Sequence, residues 1–340
     1  MTFLSRLEAV AADLRSGPVY LYGAGGMGAD FLDFARENNT DIAGFIDSNL
    51  DRVGTVHHGL PIVELEIARA ANAHIVITTS KHLEVRARLA DYSVGHVLHT
   101  KAGALALSPD TIALYDYLAD EASRETLASL FDYFCGHISR PAHSLYPQYQ
   151  HPTLDFPNIR TIVDAGAYDA GVFRRFQGIC SDRMKAYLFE PIASNAVTIR
   201  ATIGDTEQAV VVQKGLWSHE TELVFEESLA ASRARADLDD GMRLPVVNLD
   251  SLVLDVDLIK MDIEGSEQKA LEGAAKTINR CSPNMAISIY HNFRDFVVIP
   301  KLLIEKLPDH RYFLGHHYSQ SAPSGYFMEY ETVFYALRAA

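Results

Sequence analysis

Thr161-Ile162-Val163-Asp164-Ala165-Gly166-Ala167-Tyr168-Asp169-Ala170-Gly171 is the stretch on which the fold turns. A short run of strand formers enters a turn with two glycines, and a helical pattern starts near Val172. Strand, glycine turn and helix make the opening unit of an α/β sheet that binds its ligands at the carboxyl ends of its strands. The turn begins with an acid, Asp164, and carries Gly166 and Gly171 where a dinucleotide loop would carry three glycines.

A carboxylate in that position suits a ligand with an ammonium group or a water-bridged cation, and it repels a diphosphate. S-adenosylmethionine, with an ammonium tail and a sulfonium, fits that charge. Asp164, Gly166, Ala167, Tyr168 and Gly171 are therefore expected around the tail. The next strand, Ala186 to Phe189, closes with Glu190-Pro191, 26 residues beyond Asp164. An acid there can accept both ribose hydroxyls of a nucleoside. After the strand Ala209 to Val212, Leu216 and Trp217 offer apolar surface to an adenine, although Trp217 suits the core equally well.

Further downstream, Leu254 to Glu267 reads LDVDLIKMDIEGSE. Its strand is expected to deliver Lys260, Asp262 and Glu264 to the same sheet edge, with Asp262 facing cofactor and acceptor. Charges gathered there are costly unless something uses them; the competing reading has Glu264 and Glu267 capping the following helix. The strand Asn284 to Ile289 stops at Tyr290-His291-Asn292. His291 is expected to act as general base, because imidazole titrates in the useful range; Asp262 as base, with His291 as its hydrogen-bond partner, is the alternative. Strands near Tyr312 to His316 and Thr332 to Leu337 complete seven.

A second strand, glycine turn and helix lies upstream. Val19 to Tyr22 precede GAGGMG, in which Gly23, Gly25 and Gly28 match G-x-G-x-x-G. Asp47 ends the following strand, Ile42 to Ile46, where a carboxylate can meet ribose hydroxyls. Glycines kept for chain geometry alone would give the same words. Strands at Ala73 to Thr79 and His96 to His99 continue a parallel sheet. Between the two halves, helical spacing and the start signal Ser108-Pro109-Asp110 predict two helices, and Gly136 to Pro157 holds the boundary. The fold class is thus α/β, with two Rossmann-like domains: residues 1–103 of nucleotide-binding type, a helical connector over 104–157, and a seven-stranded domain over 158–340.

Bulk properties narrow the partners. The chain has 340 residues, 48% hydrophobic and 22% charged, with 30 basic against 44 acidic residues and a net charge of −14. That balance repels a nucleic-acid backbone. No stretch reaches the ~20 apolar residues of a membrane span and the start lacks a signal-type apolar core, so a cytoplasmic protein is expected. Cys135, Cys180 and Cys281 have no metal-ligand spacing, and His137, His143 and His151 read as solvated loop residues, so no metal is expected.

VDAGAYDAG, FEP, LIKMDIEGSEQKALEGA, SIYH and ETVFYAL together resemble the FkbM family of S-adenosylmethionine-dependent methyltransferases, over residues 104 to 338. The resemblance implies a seven-stranded methyltransferase sheet with an antiparallel last strand. It also implies methylation of a hydroxyl on a saccharide or small natural product. Ala170-Gly171-Val172 departs from the Gly-Asp-Thr or Gly-Glu-Thr of many members, which bears on a contact to the methionine tail. FIDSN and GLPIVELE resemble the nucleotide-sugar-binding domain of bacterial sugar acyltransferases, so a nucleotide-sugar is a possible partner, as is a second copy of the chain. A non-catalytic nucleotide-sugar sensor or scaffold is the alternative from another class.

Overall fold

In the computed structural model, which describes residues 1–93, 95–226, 233–234, 241–317 and 331–339, the chain divides into two compact units. The first comprises Met1–Asp116 and Glu125–Ala142, the second Tyr117–Arg124 and His143–Ala340.

Strands of the first unit are β1 (Val19–Tyr22), β2 (Gly44–Ile46), β3 (Val56–His57), β4 (Leu60–Val63), β5 (His74–Ile77) and β6 (Val97–His99). They form one sheet in the order β3-β4-β2-β1-β5-β6, parallel except for the β3–β4 pair. Strand order reverses beside β1, which places the glycine turn after β1 at the crevice where such sheets bind ligands. The helix Thr100–Leu107 follows β6 and is buried along its whole length. Its sequence, TKAGALAL, lacks a polar face and so shows no helical period to read. Gly103 is needed there because a Cβ would lie 2.7 Å from the ring of Phe31.

The second unit contains β7 (Thr161–Ala165), β8 (Lys185–Phe189), β9 (Ala209–Val212), β10 (Gly215–Leu216), β11 (Thr221–Glu226), β12 (Arg233–Ala234), β13 (Met242–Val247), β14 (Leu258–Met261), β15 (Asn284–Ser288), β16 (His310–His316) and β17 (Thr332–Arg338). Seven of them form the sheet β16-β17-β15-β14-β7-β8-β9, in which β17 runs antiparallel to both neighbours. The α/β architecture read from the sequence is the one observed, with its seven-stranded methyltransferase-like sheet. β10, β13, β11 and β12 make an additional four-stranded sheet that the sequence reading did not foresee.

Every residue of β14 is buried, as are most of β7 and β15, so these central strands read as continuous apolar runs covered on both faces. Ile162, Leu188, Phe173, Phe176 and Leu258 belong to the core on one side. The turn between the helices Asp110–Tyr117 and Glu121–Cys135 covers the outer edge of β16: Ala119 N donates to Tyr312 O at 2.8 Å, and Leu314 N donates to Ser123 Oγ at 3.0 Å. Covering that edge removes an unpaired row of backbone groups.

Candidate active site at the carboxyl edge of the second sheet

β7 and β14 lie side by side where the strand order reverses, and their ends carry the site. Gly166 has φ +78°, and a Cβ there would run into the carbonyl oxygen of Asp262. The two strand ends can approach this closely only because the turn residue has no side chain. Asp262 N donates to Ala165 O at 3.1 Å, which locks the ends together. Tyr168 and Ala170 also take positive φ, +49° and +65°, and leave the Tyr168 ring exposed. Non-glycine residues held in that region cost energy and persist where their surroundings fix them.

Asp164 has a different partner from the one expected of it. Its carboxylate lies 2.9 Å from Lys260 Nζ, with side chains 1% and 2% exposed respectively. The two residues are direct neighbours in the β7–β14 register. Lys260 also donates to the carbonyls of Ala165 at 3.1 Å and Gly166 at 2.8 Å. Burial raises the Asp164 pKa, and the Lys260 ammonium works against that rise. The ammonium that answers this acid is therefore internal. Lys260 stays within the sheet instead of reaching its edge, and Asp164 acts on the turn through it. A lysine flanked by Leu258, Ile259 and Met261 in a buried strand was the signal for this pairing, because a buried ammonium requires an acid beside it.

Glu190 closes β8 next to the turn. It is 5% exposed and accepts from Tyr168 N at 3.2 Å and Ile192 N at 2.9 Å. Burial raises its pKa and these amides oppose the rise. Gly215 lies against Pro191, Leu216 is buried, and Trp217 N donates to Val247 O at 2.9 Å, so β10 runs alongside the Glu190 strand end. Gly166, Ala167, Tyr168, Glu190 and Leu216 thus gather around one rim. The rim fits a nucleoside: a carboxylate for hydroxyls, a turn without a side chain at Gly166, and apolar surface beyond.

Near the end of β14, His291 Nε2 is 3.4 Å from Asp262 Oδ1 and 3.6 Å from Glu264 Oε2, and its Nδ1 is 2.9 Å from Glu267 Oε1. The structure therefore brings the three expected residues together and adds Glu267, which is fully buried. Burial alone would lower the His291 pKa, but the carboxylates of Glu267, Asp262 and Glu264 prevail and raise it to about 9. At neutral pH the imidazole holds its proton. Burial also pulls the Asp262 pKa upward, yet His291, Lys260 and two tyrosine hydroxyls keep it below the ordinary carboxylate value. Those hydroxyls belong to Tyr149, 2.7 Å from Oδ2, and Tyr290, 3.0 Å from Oδ1. Asp295 and Glu331 are each pushed up to about 7, first by burial and then by the neighbouring charge of Glu267 or Asp262.

Tyr149 was invisible in the sequence. It lies in the proline-rich stretch assigned to the connector, at φ +65°, with N donating to Tyr335 Oη at 3.1 Å and its hydroxyl also 3.2 Å from Ser288 Oγ. His151, expected in solvent, is instead 3% exposed among Tyr146, Phe313 and Tyr335, and burial lowers its pKa to about 4.

In the first unit, Gly23 has φ +121° and its N donates to Ile46 O at 2.7 Å. A Cβ on Gly28 would strike the Gly23 carbonyl, whereas one on Gly25 meets nothing within 4 Å. Asp47 lies beside this turn, accepting from Ala24 N at 3.3 Å and pairing with Arg52 at 2.8 Å. Among the described residues, no helix is long and apolar enough to cross a membrane.

Residues 164–320 match the family described as Methyltransferase FkbM domain. Among solved structures, a methyltransferase FkbM from Methylobacillus flagellatus KT is similar over 98% of this chain and 98% of its own, with 19% identity and a TM-score of 0.58. That likeness is one of fold. An rRNA methylase from Streptococcus thermophilus matches 58% of this chain and 100% of its own at 15% identity and a TM-score of 0.36. A SAM-dependent O-methyltransferase from Thermotoga maritima matches 62% and 71% at 12% identity and a TM-score of 0.33. No curated protein matches the chain.

Proposed function

Because residues 164–320 match the FkbM methyltransferase domain, and S-adenosylmethionine is the cofactor that family implies, we propose that this chain methylates a hydroxyl of a sugar, glycan or other small natural product. The observation that carries the proposal is the convergence of Asp262, Glu264 and His291 beside the Gly166 turn. It sets proton-handling groups next to the rim that fits a nucleoside.

Bound S-adenosylmethionine supplies a methyl group activated by its sulfonium. The chain's own residues bind, orient and handle a proton. Glu190 accepts hydrogen bonds from ribose hydroxyls, while Gly166, Ala167, Tyr168 and Gly171 shape the turn around the tail. Leu216 and Trp217 flank the base. Holding the acceptor oxygen in line with the methyl carbon supplies a large part of the rate. The acceptor must also lose its proton, and a group that already carries one at neutral pH cannot take it. We therefore assign proton removal to the carboxylates of Asp262 and Glu264. His291 balances their charge; the alternative read from the sequence, Asp262 as base with His291 as its hydrogen-bond partner, is thereby extended to include Glu264.

The first unit is proposed to recognise the nucleotide part of an activated sugar, or to serve as a docking module. Support comes from the open space above Gly25 at the start of a 12-residue helix, with Asp47 and Arg52 alongside. Amides at a helix start favour phosphate. The test is incubation with methyl-labelled cofactor and a panel of nucleotide-sugars and glycans. Label in a base-stable ether is expected; label found only in esters or amines would contradict a hydroxyl acceptor.

A further inference from the structure

We propose that Glu264 is the carboxylate that takes the acceptor's proton, and that Asp262 beside it is a fixed anchor. This divides between two residues the role that the proposed function gives to both, and it rests on that reading. The two acids differ in how their oxygens are engaged. Asp262 Oδ2 accepts from the Tyr149 hydroxyl at 2.7 Å, and Oδ1 accepts from the Tyr290 hydroxyl at 3.0 Å, with His291 Nε2 3.4 Å away. Tyr149 is itself held, its N donating to Tyr335 Oη at 3.1 Å and its ring centroid 5.3 Å from Lys260 Nζ. Hydrogen bonds donated to a charged carboxylate stabilise that form and weaken it as a base. Burial pulls the Asp262 pKa upward, but the charges of His291 and Lys260 and both hydroxyls hold it below the ordinary value. To take a proton, Asp262 would have to give up part of the network that orders this end of the sheet.

Glu264 is presented differently. It takes φ +57° ahead of Gly265 at +94°, so two successive residues in the left-handed region turn the chain sharply after β14. A non-glycine residue held there costs energy and persists only where its surroundings fix it, and such residues gather at active sites. Glu267 supplies much of that fixing. Its Oε1 accepts from Ile263 N at 2.9 Å and lies 2.9 Å from His291 Nδ1, so one fully buried carboxylate holds both the imidazole and the turn that carries Glu264. Asn292 Nδ2 closes the turn by donating to the Gly265 carbonyl at 3.3 Å. The Glu264 side chain is 39% exposed against 24% for Asp262, which opens it to an incoming acceptor. His291, 3.6 Å from Glu264 Oε2, already carries a proton at neutral pH and does not compete for another. The hydroxyl proton passes to Glu264 and from there to water, as the acceptor oxygen forms its bond to the methyl carbon and the S–C electron pair returns to sulfur.

The test is methyl transfer by the full chain to the acceptor that the nucleotide-sugar and glycan panel identifies, with acceptor and cofactor saturating, in the presence and absence of formate. Glu264→Ala should bind S-adenosylmethionine as wild type does in calorimetry, turn over about a hundredfold more slowly, and regain about tenfold or more in formate, whose carboxylate enters the vacated space. Glu264→Gln should lose turnover equally and gain nothing from formate, because its amide fills that space. Asp262→Ala removes the anchor of both tyrosines, so its deficit should appear in stability and cofactor affinity, and formate should leave its turnover unchanged. The two Glu264 variants decide the matter where Asp262→Ala does not fold, since Glu264 is exposed. Turnover of Glu264→Ala within a few-fold of wild type would overturn the assignment. A loss in Glu264→Ala that formate leaves untouched would also overturn it, as a structural role only, and so would rescue confined to Asp262→Ala. Wild type that binds S-adenosylmethionine but methylates no member of the panel would instead defeat the functional reading on which the assignment depends.

Discussion

Replacing Lys260 with methionine should damage the second unit far more than a loss of surface charge would. The Lys260–Asp164 pair is 2% and 1% exposed, and removing one partner leaves a carboxylate buried without its counter-charge. Breaking such a pair costs about 3–5 kcal/mol, which includes the penalty of the stranded charge. The carbonyls of Ala165 and Gly166 lose their donor at the same time. Urea unfolding followed by fluorescence of Trp217, the only tryptophan in the chain, reports on this unit directly. With slopes of about 2–3 kcal/mol per M, the midpoint of Lys260→Met should fall by about 1–2.5 M. The pH dependence provides an internal check. Burial already raises the Asp164 pKa, and without Lys260 nothing of comparable strength opposes it. A raised carboxyl pKa favours folding only below it, so the deficit of the variant should shrink as pH falls and the stranded acid takes up a proton. The double change Asp164→Leu with Lys260→Met should cost less than either single change. A double variant as unstable as the sum of the two singles would refute the pairing, as would a Lys260→Met midpoint near that of wild type.

Three further outcomes follow from other parts of the structure. The raised pKa of His291 stabilises the fold fully below its ordinary 6.5 and is lost as pH rises through about 9. Wild type should therefore lose up to about 3 kcal/mol across that window, a slope that urea titrations of His291→Asn should lack. Gly25→Val should fold normally, because its Cβ meets nothing within 4 Å, yet lose nucleotide affinity measured by calorimetry; unchanged affinity would remove the first unit from nucleotide binding. Gly28→Val should fail for the opposite reason, since its Cβ strikes the Gly23 carbonyl, and its thermal unfolding should be markedly lowered.

The strand ends were legible in the sequence because each combines an apolar run with an abrupt charge: Asp164, Glu190, Asp262 and His291 all mark places where periodicity stops. Pairing between those ends was less legible. Lys260 and Asp164 are adjacent only through strand register, which depends on how β14 is laid against β7. Tyr149 reaches Asp262 from 113 residues away in a segment with no period at all, and only the packing of that segment onto Tyr335 and Ser288 puts it there. His291 could be placed at the edge from the strand before it. Its protonation state could not, because three carboxylates from a different segment decide it.

The rim formed by the Gly166 turn and Glu190 is proposed to bind S-adenosylmethionine. Calorimetric titration of the full chain with that cofactor, in wild type and Glu190→Ala, tests it most directly. Loss of a charged acceptor typically costs about 1.5–3 kcal/mol, so the variant should bind about tenfold more weakly or worse while its Trp217 unfolding transition stays cooperative. Equal affinity in the two proteins would take Glu190 out of the pocket, and no binding to wild type would contradict the account at its base.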